Sequence, residues 1–335
     1  MHHSQSVRKV KISAVGSYVP PGTLTNAELE KAVDTSNEWI VTRTGISQRH
    51  IADRNMATSD LAVQAAISTL DASNIAASDI DTIIVCTVTP DMMFPSTACL
   101  VQDKIGAKGA WGFDLIAACS GFLYGLTTGA QLVASGSQKH VLVIGADTMS
   151  RIVNYNDRAT CVLFGDGAGA MLLEPAQNDE EGLLDFLHEV DGSGGDYLCM
   201  PAGGSRLPAS HETVNKHMHS IHQDGKQVYR YAVRQMYESC KELLRQNSLT
   251  PDDVDLFIPH QANARIINAV ATRLGISPDK AVINIGDYGN TTGGTVPLAT
   301  HDAVRSGRLK KGDLVLMAAV GAGFTSGAAL WRWAY

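Results

Sequence analysis

The chain has 335 residues, 44% of them hydrophobic and 18% charged, with a formal net charge of −7. This is enough apolar material for one large core or two fused ones and excludes a disordered chain, while the acidic balance excludes a general nucleic-acid binder. No run approaches the length of a membrane span, residues 1–10 are too polar for a signal peptide, and six cysteines without a CxxC pair read as reduced thiols, so a cytoplasmic protein is expected.

In chain order, helical spacing at residues 61–70 leads to a strand at 82–87. Residues 113–118 read as a buried strand and 120–134 as a helix rich in small residues, followed by a strand at 141–145. The pattern then repeats with a helix at 228–244 and a strand at 314–318. This alternation is α/β grammar.

Two internal matches point to duplication. IAASDIDTIIVC (75–86) aligns with LTPDDVDLFIPH (249–260) at an offset of 174, pairing Asp79 with Asp253 and Asp81 with Asp255. CSGFLYGLTTGAQLVASG (119–136) aligns with NTTGGTVPLATHDAVRSG (290–307) at an offset of 171. The expected organisation is two similar halves, residues 1–175 and 176–335. In this alignment Cys119 and Asn290 begin equivalent helices and face each other across the junction.

Cys119 lies at a strand-to-helix turn, where unpaired N–H groups and the helix dipole favour a thiolate, the nucleophile for thioesters. A buried cysteine acting only as a small hydrophobe is the competing reading. His260, within Pro259-His260-Gln261-Ala262-Asn263, ends a strand in a place where ligands collect in open α/β sheets. Asn290 sits in the Gly-rich turn Tyr288-Gly289-Asn290-Thr291, where such a residue ordinarily caps a helix. The glycines of residues 164–170 and 320–324 open strands, so they are neither a dinucleotide fingerprint nor a P-loop; close backbone approach to a substrate fits them better. His211, His217, His219 and His222 lack metal-ligand spacing, and no metal is expected.

Taken together, Ala117-Ala118-Cys119-Ser120-Gly121-Phe122, Pro259-His260-Gln261-Ala262-Asn263 and Tyr288-Gly289-Asn290-Thr291 resemble β-ketoacyl-acyl-carrier-protein synthase III. The similarity runs from Gly16-Ser17-Tyr18-Val19-Pro20 to Gly321-Ala322-Gly323-Phe324. It implies a thiolase-like fold of two duplicated halves in a five-layered αβαβα sandwich, a homodimer and a Cys119-His260-Asn290 triad. The implied reaction is the initiating condensation of fatty-acid synthesis: an acyl-CoA acylates Cys119, and malonyl-acyl-carrier protein then condenses with loss of CO2. It needs no cofactor. A specialised relative that condenses or transfers an unusual acyl group in secondary metabolism and a Cys-His thioester hydrolase are the competing enzymes, and a scaffold with a relict site is the non-enzymatic alternative.

The resemblance also implies roles for other residues. The backbone N–H groups of Cys119 and Ala322 would form an oxyanion hole, and Trp39, Arg43 and Arg158 would hold CoA. Phe94 would cross a dimer interface to bound the partner's acyl pocket, and Phe164 would line the site. Arg265, Arg273 and Arg230 would meet the acidic acyl-carrier protein. The chain departs from frequent family residues at Lys226, Ser326 and Gly293-Gly294-Thr295.

Overall fold

The computed structural model describes residues 9–178 and 180–335; residues 1–8, most of the polar N-terminal stretch, lie outside them. The first sheet contains β1 (Val10–Tyr18), β2 (Thr82–Cys86), β3 (Trp111–Leu115), β4 (Val141–Thr148) and β5 (Asp166–Pro175), in the order β1-β5-β4-β2-β3. The second contains β6 (Gly182–Val190), β7 (Leu256–Pro259), β8 (Leu314–Gly321) and β9 (Thr325–Arg332), in the order β7-β8-β9-β6. Strand directions match between the sheets: two antiparallel pairings, β1/β5 and β5/β4 or β6/β9 and β9/β8, lead into a parallel one. Where the second sheet would take its fifth strand, Ala281 forms an isolated parallel bridge with Phe257.

The principal helices are α1 (Asn37–Thr44), α2 (Thr58–Ser73), α3 (Thr97–Lys104), α4 (Gly121–Ala134), α5 (Gly225–Gln246), α6 (Ala264–Leu274) and α7 (Thr295–Arg305). Helices α2 and α3 cover the outer face of the first sheet, and α5 and α6 that of the second. Between the sheets lie α4 and α7, in a core that includes Phe122, Leu126, Val296, Met317 and Trp331. The result is the expected five-layered sandwich.

Sequence explains these placements. On α5, buried Ala232, Met236, Cys240 and Leu243 recur at helical spacing while Arg230, Arg234, Glu238 and Lys241 face out. Helix α4 is buried on most of its surface, with only Thr128 and Gln131 exposed, as befits a helix between two sheets. Its Gly125 allows close approach, because a Cβ there would stand 2.3 Å from Sγ of Cys86.

Two expectations are corrected. The strand read at residues 113–118 spans Trp111–Leu115, lies at the sheet edge and is half exposed; Ile116 beyond it is 74% exposed. An apolar run reads alike at the edge and the centre of a sheet, since the strands beside it and the layers over its faces, not its own residues, decide burial. The helix read at 120–134 begins at Gly121, behind a 3-10 turn at Ala118–Ser120.

That turn also corrects the repeat. A matching turn at Thr292–Gly294 opens α7, and both begin on a left-handed residue, Ala118 at φ +47° and Thr292 at φ +51°. The turns at Ala77–Asp79 and Pro251–Asp253 stand at the same offset of 174. Cys119 therefore corresponds to Gly293, and the alignment with Asn290 was three residues out. Apolar positions recur every three or four residues in a helix, so a slip of three leaves the sequence match intact. The other alignment has a physical basis: Asp81 Oδ2 accepts from the N–H groups of Lys139 and His140 before β4, and Asp255 Oδ2 from that of Leu314 at the start of β8.

Candidate active site

A cavity of about 400 Å³ runs from exposed Arg43 and Gly225 and half-buried Trp39 to buried Cys119, His260 and Asn290. Its wall is mostly apolar, with Met149, Leu163, Phe164, Leu198 and Ile221 among its lining residues.

Cys119 reaches the cavity on the turn between β3 and α4. The start of β9 is tied to this turn: Thr325 Oγ1 donates to Ala117 O at 2.9 Å and Ser120 Oγ donates to Thr325 O at 3.0 Å. Gly321 approaches so closely that a Cβ would stand 2.7 Å from the Cys119 nitrogen. Ala322, the expected second oxyanion donor, consequently lines the same cavity. Burial pushes the Cys119 thiol up to about 12, and the nearby Asp147 carboxylate adds to the rise. This burial works against the resting thiolate expected from the turn. Desolvation of the sulfur, which favours the neutral thiol, is set against the N–H groups at the turn, which favour the anion.

His260 follows β7, where its N–H extends the ladder by donating to Ala318 O at 2.7 Å. Burial lowers the imidazole pKa to about 3, leaving it neutral. Its Nδ1 pairs with Thr295 Oγ1 at 2.6 Å, and Thr295 also donates to Thr292 O at 3.1 Å. The hydroxyl has one proton. Directed at Thr292 O, it leaves Nδ1 as donor and Nε2 as a lone pair; turned toward Nδ1, it makes Nε2–H a donor to the cavity.

Asn290 is held by its backbone and its side chain. Its N–H donates to Leu163 O at 2.9 Å, its carbonyl accepts from Gly165 N, and its Oδ1 accepts from Thr292 N at 2.9 Å. Occupying Oδ1 in this way leaves the amide Nδ2 as the free polar end. Gly289 makes the turn possible at φ +66°, where a Cβ would stand 3.0 Å from Leu163 O.

The remaining expected residues fall in three places. Arg158 Cζ lies 5.2 Å from the Trp39 ring centroid and its Nη1 donates to Asp34 O, beside the cavity mouth. Phe94 is 84% exposed and does not line this chain's cavity. Arg230, Arg265 and Arg273 are exposed on α5 and α6, with Arg265 over the Tyr229 ring and Arg273 over that of Tyr237. Among the described residues no group of three or more metal-ligating side chains is present, the four histidines included. Sequence reasoning passed over Asp147, a fully buried carboxylate behind Cys119. The available signal was an acidic residue closing the apolar run of β4.

The chain matches the sequence profile described as 3-oxoacyl-[acyl-carrier-protein (ACP)] synthase III over residues 113–192, and its C-terminal counterpart over residues 244–333. Beta-ketoacyl-[acyl-carrier-protein] synthase III of Solibacter usitatus (strain Ellin6076) is 66% identical over 329 residues, 98% of this chain and 99% of that protein. Among solved structures, 3-oxoacyl-[acyl-carrier-protein] synthase III from Aquifex aeolicus VF5 has a TM-score of 0.89 at 44% identity, covering 97% of this chain and 100% of the other. The Thermus thermophilus enzyme has a TM-score of 0.90 at 42% identity, covering 96% and 99%.

Proposed function

Because the chain belongs to the 3-oxoacyl-[acyl-carrier-protein] synthase III family, we propose that Cys119, His260 and Asn290 carry the initiating condensation of fatty-acid synthesis. The observation behind this assignment is that these three side chains, delivered by separate elements, line one apolar cavity. Residues 1–175 contribute the nucleophile in this reading, and residues 176–335 the other two.

An acyl-CoA enters past Trp39, Arg43 and Arg158. Sγ of Cys119 attacks the thioester carbon, with the N–H groups of Cys119 and Ala322 stabilising the oxyanion. The thiol proton leaves with CoA as its free thiol, and an acyl-Cys119 thioester remains. Malonyl-acyl-carrier protein follows, meeting Arg230, Arg265 and Arg273. Its thioester oxygen accepts from His260 Nε2–H and Asn290 Nδ2 while the carboxylate departs as CO2. The enolate carbon attacks the acyl-Cys119 carbonyl, the C–S bond breaks, and the cysteine sulfur regains a proton. Loss of CO2 itself supplies the carbanion, so no strong base or resident cofactor takes part.

A second copy of the chain completes the assembly in this proposal. Met93 and Phe94 are more than four-fifths exposed, and Ile116 adjoins the open edge strand β3. An exposed apolar group beside an unpaired strand edge suits pairing with the same surface of another copy. The deciding experiment for the site is mass spectrometry after incubation with acetyl-CoA. One acetyl per subunit on Cys119, absent from Cys119→Ala, is expected; acylation at Cys86 or Cys161 overturns the assignment.

A further inference from the structure

The turn Thr292–Gly294 organises two members of the proposed triad. Thr292 N–H holds Asn290 Oδ1, and Thr295, the residue that follows the turn, meets Nδ1 of His260 with its hydroxyl. Between these contacts, Gly293 N–H donates to Oδ2 of Asp147 at 3.0 Å. The other carboxylate oxygen is occupied by the first half: Oδ1 accepts from Thr87 Oγ1, Val88 N, Thr89 N and Thr89 Oγ1 at 2.8–3.2 Å. Asp147, next to the last residue of β4, thus has one oxygen committed to its own half and the other to the turn of the opposite half.

We propose that Asp147 is a positioning residue whose ionised carboxylate seats the Thr292–Gly294 turn and so aligns His260 and Asn290 for decarboxylation. The inference rests on the triad reading above. Glycines let the turn come in close enough for this contact: a Cβ on Gly145 would stand 2.1 Å from Gly293 O, and one on Gly293 would stand 2.9 Å from Cys86 O. An ionised carboxylate is acceptor-only, matching five donors. A carboxamide or a carboxylic acid sets one of its own protons against an N–H or hydroxyl donor whichever way it turns. Burying this charge is unfavourable: burial raises the Asp147 pKa to about 6 against the pull of its hydrogen bonds. The titratable groups facing it are the thiols of Cys86 and Cys119, both pushed up by burial and by Asp147 itself. A costly buried anion beside a nucleophile it makes less acidic is poorly explained by stability or by thiol activation, whereas seating the turn accounts for it.

The test separates the half-reactions. Asp147→Asn is expected to lose about 10²-fold in CO2 release from malonyl-acyl-carrier protein, the scale of a reacting group displaced by about 1 Å. Transfer of acetyl from acetyl-CoA to Cys119 should be as fast as in the unsubstituted protein or faster, since a negative charge near the thiol is gone. Equal losses in both half-reactions, or no loss in either, overturn the proposal. Should Asp147→Asn not fold, the pH dependence of the unsubstituted enzyme decides: CO2 release falling as pH drops through about 6 while acetyl transfer holds supports it, and parallel profiles overturn it. Acetyl found on a residue other than Cys119 in the unsubstituted enzyme removes the triad reading itself, an outcome distinct from either result at Asp147.

Discussion

Thr295 Oγ1 lies 2.6 Å from His260 Nδ1, joining the first residue of α7 to the end of β7, and both residues are buried. The proposed chemistry needs a proton on Nε2, which this contact supplies when the hydroxyl donates to Nδ1. Thr295→Val should lower CO2 release about 10- to 100-fold, the usual cost of removing a partner that orients a working imidazole, and Thr295→Ser should restore it. Nitrogen NMR should find His260 protonated on Nε2 in the unsubstituted protein. A proton on Nδ1, together with an active valine variant, would rule out this role.

The pH dependence of stability should carry opposing signatures from the site. His260 has a folded pKa of about 3, below that of an exposed histidine, so between roughly pH 6.5 and 3 only the unfolded chain binds its proton. Its contribution is present above that window and lost as pH falls. Asp147 acts oppositely: its folded pKa of about 6 gives a contribution present below the ordinary carboxylate value and lost as pH rises through 6. Urea unfolding should therefore show His260→Gln losing less stability than the unsubstituted protein between about pH 7 and about pH 5. An equal or greater loss in the variant would contradict a buried, neutral imidazole.

The exposed arginines should differ in docking. Arg273 lies 3.6 Å from the Glu238 carboxylate, whereas Arg265 has no carboxylate within ion-pair distance among the described residues. Arg265→Glu should slow reaction with malonyl-acyl-carrier protein by roughly tenfold at low salt and by less as salt rises, with acetyl transfer from CoA unchanged. Arg273→Glu should have the smaller effect. Losses that ignore salt, or that fall equally on both half-reactions, would exclude a docking role for Arg265.

Gly145→Ala should be costly for stability and for chemistry together. Its new Cβ would meet the backbone oxygen of Gly293 at 2.1 Å, and a backbone cannot rotate aside as a flexible side chain can. Overpacking of this kind costs about 1–3 kcal/mol, and relief requires the Thr292–Gly294 turn to move. Chemical denaturation should show the loss, and CO2 release should fall further than acetyl transfer. A variant of full stability and activity would show that the halves do not meet so tightly.

Cys119, His260 and Asn290 could be singled out as candidates in the sequence because each stands at a strand or helix end among small residues, and it was the resemblance of the motifs around them that joined them into one proposed site. The alternation of elements and the duplicated strand-turn segments were legible because period and turn chemistry are properties of neighbouring residues. Other features depended on partners far along the chain. The true counterpart of Cys119 emerged only when the positive φ angles of Ala118 and Thr292 fixed the register, and the edge position of β3 only when its missing neighbour was known. Burial works against the expected acidity of Cys119, and Asp147 meets Gly293, 146 residues away. Hydrogen-bond partners and desolvation are set by which groups share a volume, and chain order alone leaves that volume undetermined until the two halves pack.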